Sequence, residues 1–372
     1  MKISKLFLTT ILGATLILSC SKDEDIPIYN EVGRFDSGVL VLNQGSAAST
    51  LSFISFDLNT TINDIFTTTN PTVPFGKFGQ DIGFINDKAY AVMGGVNAIQ
   101  IFNRYTAVSL GKIDTELNNP RYIVFYNNKI YVTNHATFES LTDDYVAVYN
   151  QTTGAFITKI DVPGGSAEKM IVNNDKLYVA QGGAYGTGNK VVVINLLTNA
   201  IDKSIEVGDA PNSLQIANGF LWVMYGGNSN YFPVASVATA GGLAKIDLVT
   251  NTVSTNINFA DASKFPTNFE FFSNKAYFTV GNDIYKMLPT ATALPITKSF
   301  TADVVSMNAF AVKNNYIYVG DAPSFTNNGN VKIYANGDRT ETTDGTTLAF
   351  PLGKLIKSTG VGVQPSGFYF NQ

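Results

Sequence analysis

One hairpin recurs along this chain, and it restricts the fold more than any bulk property does. Its clearest copy is Asn119-Pro120-Arg121-Tyr122-Ile123-Val124-Phe125-Tyr126-Asn127-Asn128-Lys129-Ile130-Tyr131-Val132-Thr133-Asn134. An alternating strand meets a two-residue turn, and a second alternating strand runs back. Asn-rich pairs suit such turns because type I′ geometry needs positive φ at both central positions. The turn returns as Asn86-Asp87, Asn127-Asn128, Asn174-Asp175, Asn218-Gly219, Ser273-Asn274 and Asn314-Asn315. Four residues after its first member stands an aromatic: Tyr90, Tyr131, Tyr178, Trp222, Tyr277 or Tyr318. Before each turn, two apolar residues sit two apart, the period of a half-buried strand. They are Ile82/Phe84, Ile123/Phe125, Met170/Val172, Leu214/Ile216, Phe269/Phe271 and Phe310/Val312.

A seventh pair, Phe368/Phe370, lies at the extreme C-terminus, where the chain stops just as its turn is due. The partner strand is at the other end. Ser37-Gly38-Val39-Leu40-Val41-Leu42-Asn43 reads as the returning half, with Leu40 in the aromatic position. A repeat assembled from both termini closes a ring and removes exposed sheet edges. Outer strands follow each hairpin, as in 145–150 with 155–160, and the anchors stand 41 to 55 residues apart. That spacing suits four strands per repeat. The expected fold is all-β: a seven-bladed β-propeller over residues 36–372, with four-stranded blades and one blade shared by the two termini.

Two segments precede it. Met1 to Lys5 is a short positive region and Leu6 to Leu18 an interrupted apolar run, shorter than the roughly 20 residues of a membrane span. Ile17-Leu18-Ser19-Cys20 follows, and Cys20 is the only cysteine. Residues 1–19 read as a lipoprotein signal peptide with Cys20 as the lipidated residue; an ordinary signal peptide containing a cysteine is the plainer alternative. A lone cysteine excludes an internal disulfide framework. Residues 20–35 read as a lipid-anchored polar tether, opening on Ser21-Lys22-Asp23-Glu24-Asp25. Losing Lys2 and Lys5 would move the formal charge from −4 to −6. With 15% charged residues and no basic run, nucleic-acid binding has no support.

The repeat resembles the YVTN/YncE-like propellers, named for the tetrapeptide that stands here as Tyr131-Val132-Thr133-Asn134. Lys-x-Tyr at Lys88, Lys129, Lys176 and Lys275 recurs in the same setting. The lipobox and the acidic segment after it resemble those of Bacteroidetes surface lipoproteins. This resemblance implies an outer-membrane, outward-facing location. Some propellers of that group capture cobalamin and pass it to a TonB-dependent transporter, so a corrinoid ligand and a transporter partner are what the resemblance implies. Fold alone does not assign function.

In such a ring the residue after each Pro, or its equivalent, stands at one mouth of the central channel. Those residues are Gln80, Arg121, Glu168, Asn212, Thr267, Asn308 and Ser366, and all are polar. They can orient a polar ligand, or cap strand ends and bind channel water. Loops after the second strands add an expected rim: Asn43, Gln44, Asn134, His135, Gln181, Tyr185, Tyr225, Tyr231 and Asp321, with Phe138, Phe232 and Phe325 nearby. Amides beside aromatics suit a large, flat ligand, although loop aromatics also pack locally. His135 can ligate a metal in a bound cofactor, or simply be solvated.

Catalytic signatures are sparse. One His and one Cys make no ordinary zinc site, no Gly-x-Ser-x-Gly elbow accompanies His135, and Trp222 stands alone where quinoprotein propellers repeat tryptophan motifs. No catalytic residue, required cofactor or metal is expected. Two rivals remain: a cell-envelope protein-binding scaffold, and a lactonase-like calcium-dependent hydrolase using Glu168, Asn212 and Asn308. Calcium usually takes several carboxylates, and this ring offers one.

Overall fold

The structure is a computed structural model that describes residues 35–372 apart from 138–139, 184–186, 230–236, 314, 338 and 344–345. The lipobox, Cys20 and nearly all of the tether lie outside the described residues. Seven four-stranded antiparallel sheets are arranged as blades. Their innermost strands are Gly79–Ile85, Pro120–Tyr126, Ala167–Asn173, Pro211–Ala217, Pro266–Phe272, Met307–Lys313 and Pro365–Asn371. We number the blades one to seven in that order. Each inner strand touches the next, and the seventh touches the first, so the ring is closed. A two-stranded hairpin, Arg339–Thr343 with Thr346–Phe350, is inserted between the outer strands of blade six.

Hairpin turns adopt the conformation their sequences favour. Both central residues have positive φ at Asn127-Asn128, Asn218-Gly219 and Ser273-Asn274; at Asn86 and Asn174 only the first does. The second strands are buried on both faces because each blade packs between two others. Tyr90, Tyr131, Tyr178, Trp222, Tyr277 and Tyr318 are all buried. Two of them also tie blades together: Tyr178 donates to Asn251 Oδ1 of the next blade at 2.7 Å, and Tyr131 to Asn199 Oδ1 at 3.5 Å. Seven apolar clusters fill the seven gaps between blades. The core is therefore a ring of interfaces, stabilised by apolar area removed from water between sheets.

Closure follows the expected register. Strand Gly38–Asn43 pairs antiparallel with Pro365–Asn371, and Leu40 faces Tyr369 as Tyr131 faces Val124. The seam carries its own polar lock. Asn371 is fully buried; its amide donates to the carbonyls of Phe35 and, at 2.7 Å, of Arg104, and it accepts from Arg104 Nε. The Arg104 guanidinium also donates to the Phe370 carbonyl at 3.3 Å and stacks 4.0 Å from the Phe84 ring centroid. Phe35, placed in the tether by sequence, is instead buried against Phe53 and belongs to the folded ring.

Asn371→Ala should therefore destabilise the whole ring, because it strands two buried carbonyls and the Arg104 side chain. A loss of about 2–3 kcal/mol is expected, read as a lower denaturant midpoint with an unchanged slope.

Candidate functional site at the mouth of the ring

Every inner strand carries a register shift close to its start, where one extra residue opposes its partner. Such a bulge bends the strand and re-aims side chains. In blade two, Arg121 and Tyr122 together oppose Thr133, whose hydroxyl accepts the Tyr122 N–H at 3.0 Å. The ring residues named by sequence stand at these bulges, or beside one in the case of Thr267.

Several of them are occupied with the fold itself. Asn212 donates across to the Pro266 carbonyl of the next blade at 2.9 Å, and Asn308 likewise to Pro365 at 3.1 Å. Gln80 donates to the Phe78 carbonyl at 2.9 Å, Ser366 to the Leu42 carbonyl at 3.2 Å, and Thr267 pairs with Thr279 at 3.0 Å. These five act as strand-start caps.

Arg121 and Glu168 are different. Arg121 Nη2 lies 3.2 Å from Glu168 Oε1 and Nε 3.3 Å from Oε2, a two-point pairing between adjacent blades. From behind, His135 Nε2 lies 3.0 Å from the same Oε1. Burial alone would raise the Glu168 pKa, but the Arg121 charge and the His135 contact outweigh it and hold the carboxyl at about 2. A guanidinium has five N–H donors, so the pairing through Nε and Nη2 leaves others for a visitor. Next to this pair is a cleft of about 280 Å³ lined by Arg121, Tyr122, Glu168, Lys169, Asn212 and the Gly182-Gly183 backbone.

The expected rim needs correction. Asn43, Asn134, His135, Gln181, Tyr225 and Asp321 are buried, not displayed. All but His135 end a second strand; the side chains of Asn134, Gln181 and Asp321 staple loops, and those of Asn43 and Tyr225 bond to other strands of their blades. Gln181 donates to the Val162 and Pro163 carbonyls at 3.0 and 3.1 Å, and Asn134 accepts the Asn118 N–H at 2.9 Å. Asp321 accepts the N–H groups of Val305 and Ser306 at 2.9 and 3.1 Å. Asn43 donates to Ser52 and Thr50 hydroxyls, and the Tyr225 hydroxyl lies against the side chains of Asn256 and Asn258, with one proton to donate between them. Loop backbone next to a buried strand end needs such partners. Gln44 is half-buried, with its N–H on the Gln364 carbonyl at 2.8 Å. Tyr185, Tyr231, Phe138 and Phe232 lie outside the described residues. Behind His135, Asp144 is buried; desolvation raises its pKa to about 6 against the opposing pull of His135.

Sequence reasoning missed a second polar set, inside the channel. Asp81, Tyr122, Lys169 and Glu270 line a cavity of about 530 Å³ bounded by the inner strands of blades five, six and seven. Asp81 accepts the Ile123 N–H and the Tyr369 hydroxyl, each at 3.1 Å, and so joins blades one, two and seven. Glu270 accepts from Gln215 at 3.2 Å. Although part of its surface faces the channel, the surrounding blades desolvate it, and its pKa rises to about 7 with Lys169 opposing. The missed signal is the paired polar residues at strand starts, such as Gln80-Asp81 and Glu168-Lys169, which break the alternation.

Residues 37–319 match the family described as a domain of unknown function, DUF5074. The chain belongs to that family. No curated protein matches the sequence. Among solved structures, a quinoprotein alcohol dehydrogenase-like protein of Bacteroides thetaiotaomicron is 14% identical with a TM-score of 0.65, covering 92% of this chain and 80% of that one. Kuenenia stuttgartiensis hydrazine synthase is 16% identical with a TM-score of 0.57, covering 76% and 85%. The computationally designed protein Ika8 is 11% identical with a TM-score of 0.56, covering 91% and 92%. At these identities the likeness shows the propeller fold alone.

Glu168 at the mouth and Glu270 in the channel should make opposite contributions to stability with pH. Glu168, lowered to about 2, stabilises above its unfolded value of 4.5, and that contribution is lost as pH falls through 2. Glu270, raised to about 7, stabilises below 4.5, and its contribution is lost as pH rises through 7. Glu168→Gln should cost of order 2–3 kcal/mol near neutrality and converge on wild type in strong acid. Glu270→Gln should gain on wild type by of order 1–2 kcal/mol between about pH 5 and pH 8. Urea midpoints across pH check both signs.

Proposed function

We propose that this chain is a lipid-anchored surface propeller that captures a small polar molecule at the ring mouth and hands it to a TonB-dependent transporter. The supporting observation is the Arg121–Glu168–His135 arrangement beside an open cleft. Arg121 is oriented before any ligand arrives, so little side-chain freedom is lost on binding. Glu168 offers a fixed acceptor next to these donors. A ligand edge that carries both acceptors and donors, as amides do, is matched by this pair. A corrinoid, whose periphery bears amides, is the first ligand to test; that choice rests on the sequence resemblance and on this chemistry together. The anchor and the outward-facing location rest on the lipobox and the acidic segment after it.

The same geometry disfavours the hydrolase reading. A carboxylate held at about 2 is a weak proton acceptor near neutrality. Arg121 already pairs with Glu168 at the place where a calcium ion would have to sit against it, and the Asn212 and Asn308 amides donate to carbonyls of the next blades. The scaffold reading draws on another observation. Leu141, Val305 and Phe325 stand 53%, 70% and 74% exposed on loops of the mouth face. Apolar groups there suit a protein surface, which a transporter also supplies.

Equilibrium dialysis of the purified protein against cyanocobalamin tests the leading reading. Binding at micromolar concentration is expected, with Arg121→Ala weakening it about tenfold or more; this variant also loses the Glu168 pairing and melts lower, so binding is read well below its own melting temperature. Absence of binding removes the corrinoid, and wild-type affinity in Arg121→Ala removes the cleft.

A further inference from the structure

Beneath the mouth, the axial channel has a chemistry distinct from the cleft. Its volume of about 530 Å³ lies within the range of small-molecule sites. Four charged residues line it: Asp81, Lys169 and Glu270, and Lys313 at the far end of its inner strand, over the Phe370 ring. Asp81 is already engaged by the Ile123 N–H and the Tyr369 hydroxyl. Glu270 receives a single bond, from Gln215. Lys169 pulls on both carboxylates through space, yet among the described residues it forms no ion pair with either within 4.0 Å. Its ammonium instead lies 5.6 Å from the Tyr122 ring centroid. An exposed ammonium and a half-buried carboxylate thus line one cavity without forming an ion pair.

We infer that the axial channel is a second binding site, which takes a small zwitterion whose carboxylate meets Lys169 and whose ammonium meets Glu270. The charge pattern selects this class. A simple anion drawn to Lys169 is repelled by Asp81 and Glu270, and a simple cation drawn to Glu270 is repelled by Lys169. A molecule carrying both charges in the right order satisfies both walls and gives half-buried Glu270 the cation contact that it lacks among the described residues. Phe271, Phe310 and Phe368 line the same cavity and accept an apolar side group. Tyr122 and Lys169 line both spaces, so the channel and the cleft are neighbours. The raised Glu270 pKa agrees with a carboxylate that lacks a cation in contact.

Calorimetry and saturation-transfer NMR on the full chain, with L-leucine and L-alanyl-L-alanine as probes, test the inference. N-acetyl-L-leucine, which lacks the ammonium, and L-leucinamide, which lacks the carboxylate, serve as controls. At least one zwitterion should bind at millimolar concentration or below, and the single-charge analogues about tenfold more weakly or not at all. Glu270→Gln and Lys169→Met should each lose the zwitterion about tenfold, Lys169→Arg should retain part of it, and Arg121→Ala should retain all of it. The last comparison separates this site from the cleft, whose ligand depends on Arg121. If a channel variant fails to fold, the analogue series on the wild-type protein decides alone. Failure of both zwitterions to bind, equal binding of the analogues, or full affinity in Glu270→Gln overturns the inference.

Discussion

The antiparallel pairing of Pro365–Asn371 with Gly38–Asn43 is the contact through which every other feature becomes possible. Each blade is a small sheet whose two faces are both apolar, so none can be solvated alone. Six blades find neighbours by sequence order, but the first and last need a seventh between them. The shared blade supplies it, and the Asn371–Arg104 lock fixes it at the end away from the mouth. Consecutive packing brings the Arg121 of one blade to the Glu168 of the next, and closure brings Asp81 to Tyr369 across the seam.

The ring then shows how neighbours decide what one residue type does. Glu168 and Glu270 both stand on inner strands and both are desolvated. One has a guanidinium and an imidazole in contact, and it remains an anion across the physiological range. The other has an amide in contact and an ammonium at a distance, and it titrates near neutrality. Composition does not distinguish them, and neither does strand position. The difference lies in which cation comes within bonding reach.

Much of the architecture was legible because its signals are local and repeated. A turn that wants positive φ, an aromatic four residues from it and two apolar residues two apart specify a hairpin anywhere. The incomplete copy at the C-terminus, with Leu40 in the vacant register, specified closure. The site was less legible. Alternation says which face of a strand a residue occupies, but Asn134, Gln181 and Asp321 end strands covered on both faces, so polarity there meant loop stapling instead of display. The bulges concealed Asp81, Tyr122, Lys169 and Glu270, since an inserted residue shifts the period that would have assigned them. Pairings such as Arg121 with Glu168, 47 residues apart, and Asp81 with Tyr369, 288 apart, depend on ring geometry that no short window contains.

The bulges also separate two kinds of evolutionary freedom. Beyond the inserted residue, each inner strand returns to regular ladder pairing, and the hairpin, its aromatic and the interblade packing are undisturbed by what stands at the bulge. The hairpins below the mouth thus keep their pairing whichever residue fills the bulge, while that residue sets the contact made to the next blade. Chemistry at the mouth is therefore free to drift one position at a time, each change weighed against a single bond between blades and not against the whole wheel.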